Sequence, residues 1–304
     1  MNLLSNKWFL LAILSLTWGS SFILIKQSIA AFDPMQVGAL RLTIAGLVLA
    51  FFGIRNFKHI PKKLMVWVIV GGCMGNFIPM FLFPLAQQKV SSSMAGILDS
   101  LVPIFILIFG FLFFGIKSRW TQILGALIGF AGAAILVSDD GNGGSSDVFH
   151  SLLIVLATIF YGLNGLIISK YLSGIQSFRL SSVVFTIWLG PSLVILGITG
   201  FFHDFTGAAA QWRGLGFVAI LGLAGTAIAM ILFYKLIQMT SAIFASVVTY
   251  LMPIIAVIWG ILDGEKLTWI HGVGGLLILL GVYLIQIKSP KVKKEFNPAQ
   301  YQNS

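Results

Sequence analysis

Charge is what this sequence has least of. Only 9% of its 304 residues are Asp, Glu, Lys or Arg, where soluble domains carry about 25%. A chain so poor in charge cannot clothe a folded surface in water-compatible groups, which excludes an ordinary soluble domain. Cysteine is nearly absent as well. Cys73 stands alone inside an apolar block, so no internal disulfide forms and no metal-ligand spacing surrounds it. The histidines His59, His150, His203 and His271 all fall at loops or ends of apolar blocks. The blocks therefore hold no cluster of acid–base or metal-binding groups, and catalysis finds little support. The loops are too short for a sizeable extramembrane domain, which speaks against a sensor or receptor.

What the chain has is apolar length. Hydrophobic residues make up 58% of it, and mean hydropathy is +0.99. They come in continuous runs rich in Leu, Ile, Gly and Ala, long enough for a bilayer that needs about 20 residues per helix. A β-barrel would show short alternating segments instead. The pattern predicts ten spans near 8–30, 35–53, 64–88, 92–115, 119–137, 149–172, 178–202, 212–238, 241–262 and 269–287. The eighth and ninth meet at Met239 and Thr240 with almost no loop. The first is too long for a signal-peptide core and no good cleavage site follows it, so it is expected to remain as an uncleaved helix.

Net charge is +10. In a soluble protein that balance would suggest nucleic acid as partner, but here the basic residues mark orientation. One set of loops and the tail hold Lys7, Arg55, Lys58, Lys62, Lys63, Lys117, Arg119, Lys170, Arg179, Lys288, Lys291, Lys293 and Lys294. The opposite loops hold Lys89, Arg213 and Lys266 with most of the acidic residues. The asymmetry predicts a multi-pass protein of the plasma (inner) membrane with both termini cytoplasmic. Its surroundings are then the lipid bilayer, with no nucleic acid. Trp8, Trp120, Trp212 and Trp269 fall near span ends, where indole rings suit the headgroup layer. The polar, glycine-rich stretch 138–148 reads as an extracytoplasmic linker. It lacks the Lys-Ser/Thr pair and following helix start of a phosphate cradle.

The sequence also repeats. Shifted by 150 residues, Gly72, Gly75, Met80, Leu82-Phe83, Gln88, Ser91, Ala95, Pro103-Ile104 and Gly110 meet identical residues at 222–260. A shift of 149 aligns Gly125 and Gly132 with Gly274 and Gly281, and one of 143 aligns Gly19 with Gly162 and Thr43-Ile44 with Thr186-Ile187. The register changes fall in loops, as a duplication requires. Two five-span copies result, 8–137 and 149–287, with 288–304 as a basic cytoplasmic tail. Five is odd, so the second copy enters the membrane from the opposite side. Inverted repeats are a transporter architecture whose substrate site lies near the midplane between the copies.

Trp18-Gly19-Ser20-Ser21-Phe22, then Lys26, Pro34, and Arg41 with Ala45, resemble the opening of the EamA family of the drug/metabolite transporter superfamily. Pro103, Pro253 and the glycines of spans five and ten fit it too. The resemblance covers about 8–137 and 151–287. It implies a basket of helices around a central cavity and transport of amino acids, other metabolites or drugs. The second copy departs from the pattern, with Tyr161-Gly162 in place of Trp18-Gly19 and Val184 in place of Arg41. Small multidrug transporters of the superfamily use a first-span glutamate; the first span here has no acidic residue.

The expected fold is thus an all-α integral membrane protein, ten transmembrane helices as two inverted five-helix repeats around a central cavity. The expected activity is alternating-access transport, in the export direction, of a small metabolite such as an amino acid, with proton coupling through Asp99. A membrane enzyme or sensor is the alternative. Lys26, Arg41 and Asp99 are ionisable residues within spans, costly there and so in need of a reason. By helix rise they lie roughly 6, 9 and 12 Å from their outer helix ends. They form either a charged vestibule for a zwitterionic or anionic substrate, or an Arg41–Asp99 tie with Lys26 reaching the interface. Near mid-span, Ser20, Ser21, Asn76, Asn164, Thr226 and Tyr250 are candidate substrate contacts or interhelical hydrogen bonds. Gln87 and Gln88 read as interfacial. Pro103 and Pro253 are candidate hinges, since proline removes a backbone hydrogen bond. The glycines of spans five and ten mark close helix packing, internal or between copies of a homodimer. No cofactor and no metal are expected, and the protein is a monomer or a homodimer.

Overall fold

A computed structural model describes residues 3–116, 119–137 and 148–286. The expected linker (apart from Val148) and the basic tail lie outside the described residues. Within them the chain is all helical. Eight helices are long and apolar enough to cross a membrane: α1 Lys7–Ile29, α2 Pro34–His59, α3 Lys62–Ala86, α4 Ser92–Phe114, α6 Val148–Leu172, α7 Ser177–Ile198, α8 Ala209–Met239 and α9 Ala242–Leu262. Two shorter apolar helices, α5 Trp120–Leu136 and α10 Trp269–Ile285, stand where the fifth and tenth spans are predicted.

The starts of these helices follow local chemistry. Asp33 caps α2 by accepting from the Met35 amide at 2.8 Å, and the Gln36 side chain accepts the Asp33 amide in return. Pro34 takes the first helical position, where a missing N–H costs nothing. Ser91 caps α4 through the Met94 amide. Along the outside, Phe51, Ile54, Phe111, Phe113, Leu127, Val194, Ile198, Leu276 and Tyr283 are exposed. That surface is stable only in an apolar solvent, and the protein is membrane-embedded and multi-pass. Trp8, Trp120, Trp212 and Trp269 are exposed at or near helix starts.

Several helices are interrupted. α1 breaks at Ser20, α4 at Ser100 and Leu101 immediately after Asp99, and α9 at Ser246 and Val247. Pro103 follows the α4 break as the second residue of the new segment, whereas Pro253 lies inside the continuous stretch Val248–Leu262. α3 and α8 widen to π-helical turns at Cys73–Phe77 and Leu223–Ile228, positions that correspond under the 150-residue shift.

Helices at equivalent places in the two halves pack on each other, and they run antiparallel. Between α2 and α7, Thr43 meets Ser192 at 3.0 Å while Asn56 meets Ser182 at 2.9 Å. Between α4 and α9, Ser93 lies against Gly260, Gly96 against Ala256, and the Ser100 hydroxyl donates to the Thr249 carbonyl at 2.9 Å. Between α5 and α10, Gly125 faces Gly281 and Gly132 faces Gly274, backbone to backbone. These glycines make an internal crossing; Gly272, by contrast, has open space where a side chain would be. The remaining contacts pair off as well: α1 packs on α9 and α8, and α6 packs on α4 and α3.

Candidate functional site

One cavity lies where α1, α2, α3, α4, α6, α8 and α9 meet. Its wall is largely apolar and is built from corresponding positions in both halves. Trp18 and Tyr161, Ser21 and Asn164, Met80 and Met230, Phe83 and Phe233, Asp99 and Thr249, and Val102 and Met252 all line it. The aromatic contacts match too. Trp18 meets Phe233 edge-on at 4.9 Å between ring centres, and Tyr161 stacks on Phe83 at 5.9 Å. Arg41 breaks the correspondence, because Val184 holds the equivalent place.

A π-turn holds Arg41. In a regular helix the Ala229 amide would donate to the Gly225 carbonyl four residues back. In the widened turn it reaches the Ala224 and Thr226 carbonyls instead, which frees the Gly225 carbonyl. That oxygen accepts from Trp18 Nε1 at 2.9 Å and from Arg41 Nη2 at 3.3 Å. Beside it, Thr226 Oγ1 accepts from Arg41 Nε at 2.6 Å and donates to the Leu221 carbonyl at 2.8 Å. Arg41 is buried, and its guanidinium is oriented by two acceptors that carry no charge.

Asp99 is the other charged-type residue of the wall. It is buried, and its Oδ1 has no hydrogen-bond partner. Asn164 likewise leaves its Oδ1 unpaired at the cavity. The expected Arg41–Asp99 tie is not formed: both side chains face the same cavity, yet no ion pair joins them. The expected three-charge vestibule is also corrected. Lys26 turns away to the α9–α10 loop and pairs with Asp263 at 2.7 Å and Glu265 at 2.8 Å.

The neutral candidates divide. Ser21 and Asn164 reach the cavity. Thr226 stands behind Arg41. Asn76 is buried and donates from Nδ2 to the Tyr234 hydroxyl at 2.9 Å. Ser20 accepts from Trp259 Nε1 at 2.9 Å, and Tyr250 donates to the Val282 carbonyl at 3.0 Å, so both tie helices together outside the cavity. Gln87, read as interfacial, is buried and donates to the Phe22 carbonyl at 2.9 Å.

Sequence reasoning missed two features. Tyr161 entered it only as a departure from the Trp18 pattern, although that substitution was the signal for a second aromatic wall. Glu265 stood only among the acidic residues of the opposite loops, none of them singled out. Its carboxylate accepts from Lys26, from the Ser92 amide and hydroxyl at 2.9 and 2.7 Å, and from the Ser93 amide and hydroxyl at 3.0 and 2.6 Å. Burial by itself would push this carboxyl up, but the hydrogen bonds from Lys26, Ser93 and Ser92 outweigh it and hold the group at about 2, below its ordinary 4.5. A depressed acid stabilises the fold fully above 4.5, and that contribution is lost as pH falls through about 2. Thermal unfolding in detergent should therefore show Glu265→Gln melting below wild type at neutral pH, with the gap narrowing under acid. A gap independent of pH would contradict this.

Comparison with known proteins follows the same division into halves. A family model described as the EamA-like transporter family matches residues 6–138 and again 149–287. An uncharacterized transporter of Archaeoglobus fulgidus is 25% identical over 285 residues, covering 92% of this chain and 98% of that protein. The uncharacterized inner membrane transporter YedA of Escherichia coli K12 is 26% identical, with 90% and 88% covered. A probable terminal-alkyne amino-acid exporter of Streptantibioticus cattleyicolor is 23% identical, with 96% and 97% covered. A crystal structure superposes with a TM-score of 0.61 at 19% identity, covering 94% of this chain and 98% of the other.

Proposed function

The chain belongs to the EamA-like transporter family, and from that premise we propose that it moves a small zwitterion, an amino acid or close relative, across the inner membrane by alternating access. The observation that carries this reading is the pair of unpaired charges in one cavity. Arg41 offers a guanidinium to a carboxylate, and Asp99 offers a free carboxyl oxygen to an ammonium. The apolar and aromatic wall between them excludes water and strengthens both contacts. A substrate with one charge would leave the other residue unanswered.

The antiparallel crossings of equivalent helices and the twofold match of the family model support two inverted five-helix repeats, with α5 and α10 completing ten spans. Such symmetry supplies two nearly equal packings, one open to each side. The breaks after Asp99 and at Ser246 and Val247 give α4 and α9 places to bend beside the cavity, with Pro103 holding the α4 break open to rearrangement. The basic loops support cytoplasmic termini. Export is the direction the Streptantibioticus relative suggests.

Asp99 links substrate to protons by exclusion: an ammonium and a proton compete for the same carboxyl. A proton taken up outside releases the substrate there, and its loss inside readies the site again. Reconstituted in liposomes with a labelled amino-acid mixture, wild type should show counterflow that accelerates under an imposed proton gradient. Asp99→Asn should lose that acceleration. Full retention of the pH dependence would sink the coupling role, and failure of any amino acid to stabilise or exchange would sink the substrate class.

A further inference from the structure

Beyond the cavity, the most heavily bonded carboxylate among the described residues is one the transport reading does not use. Glu265, between α9 and α10, joins Lys26 of α1 to the first two residues of α4 through the amides and hydroxyls of Ser92 and Ser93. Asp263 adds a second ion pair to Lys26 and accepts from Gln27 at 2.8 Å. The free amides at a helix start and its positive dipole end favour an anion there. With its side chain 6% exposed, Glu265 makes these contacts away from competing water.

Position gives the cluster its meaning. Phe22 and Ile25, which line the cavity, lie within one turn of Lys26. The cluster therefore sits next to the cavity residues nearest the C-terminal end of α1. Beside it α4 packs closely on α9, since a side chain at Gly260 would overlap Ser93 and Glu265. At the other end small apolar surfaces meet, with Ala242 and Ile106 next to Gly165. One end is held by directional, charged bonds and the other by small apolar surfaces.

We propose that Lys26, Glu265, Asp263, Ser92 and Ser93 form an outer latch that must open for the cavity to reach the extracytoplasmic side. The proposal rests on the transport reading and on cytoplasmic termini. Opening that side parts α1 and α4 from the α9–α10 loop, and no such movement leaves the Glu265 contacts intact. The latch therefore favours the outward-closed state, and weakening it shifts the population toward the outward-open one.

Cys73 is the sole cysteine, so a Cys73→Ala background with Ser21→Cys places a single thiol at the cavity. Labelling by a membrane-impermeant maleimide in intact cells reads outward opening without any knowledge of substrate. Glu265→Gln and, separately, Lys26→Met should each speed labelling by about tenfold or more, since a hydrogen bond to a charged group is worth at least that factor. Ser92→Ala with Ser93→Ala is a milder weakening should either charge variant fail to fold, as judged by size-exclusion chromatography. Unchanged labelling in folded variants overturns the latch, as does rapid labelling from outside before any latch residue is altered. A labelling response with no solute counterflow would instead keep the latch and reject the transport reading.

Discussion

Arg41→Ala raises the half-saturation concentration for a carboxylate substrate about 100-fold, since removing one side of a desolvated charged hydrogen bond costs about 2–5 kcal/mol. The guanidinium is the one permanent cation of the cavity wall. Its Nε and Nη2 are already committed to Thr226 and Gly225, which leaves Nη1 for a substrate. Arg41→Lys recovers little of the loss, because an ammonium cannot hold two protein acceptors in a planar fork and still present a fixed donor to the substrate. The fold does not depend on the charge: Thr226 keeps its bond to Leu221, and Gly225 keeps Trp18. The melting temperature of Arg41→Ala should stay close to wild type while counterflow collapses. Counterflow with an unchanged half-saturation would remove Arg41 from the site.

The second large effect is structural. At Gly132 an added Cβ would stand 2.7 Å from the Gly274 carbonyl oxygen, 2.8 Å from Leu277 Cβ and 2.9 Å from the Ile278 amide nitrogen. Two of these are backbone atoms on a straight helix and cannot swing aside. α5 and α10 would have to separate along their whole length, losing close packing that in lipid has no hydrophobic effect to replace it. Gly132→Val should lower stability by about 3 kcal/mol, at the upper end of overpacking costs, with a marked loss of monodisperse protein, and Gly132→Ala should fall between. Gly272→Val provides the matched comparison, since nothing lies within 4 Å of that position. Equal melting temperatures for Gly132→Val and Gly272→Val would show that the crossing does not support the fold.

How far the sequence could be read depended on what kind of information each feature needs. Long apolar runs specify membrane helices by themselves, because a backbone in lipid must satisfy its own hydrogen bonds. The helix positions followed from that, down to the short joint at Met239. The repeat was legible because glycine, proline and glutamine at one register are hard to match by chance. It set α3 and α8 at corresponding positions, although nothing in it announced that both would widen into π-turns. Arg41 and Asp99 stood out because ionisable groups within apolar runs are rare and costly. Their mutual geometry did not. Helix depth put Lys26, Arg41 and Asp99 at similar heights, but height says nothing of which way a side chain points around the helix.

The sequence alone therefore determined the solvent, the helices and the identity of the two charges in the cavity, because each rests on composition and spacing along one chain. Only the tertiary structure decided that Arg41 and Asp99 share a cavity without pairing, that a displaced hydrogen bond in α8 frees the Gly225 carbonyl to hold Arg41, and that Lys26 belongs to Glu265. The last two outcomes depend on helices separated by well over a hundred residues meeting at a particular rotation. Rotation is set by packing, such as the glycine crossing of α5 on α10, and packing is a property of the assembled helices and not of any one of them.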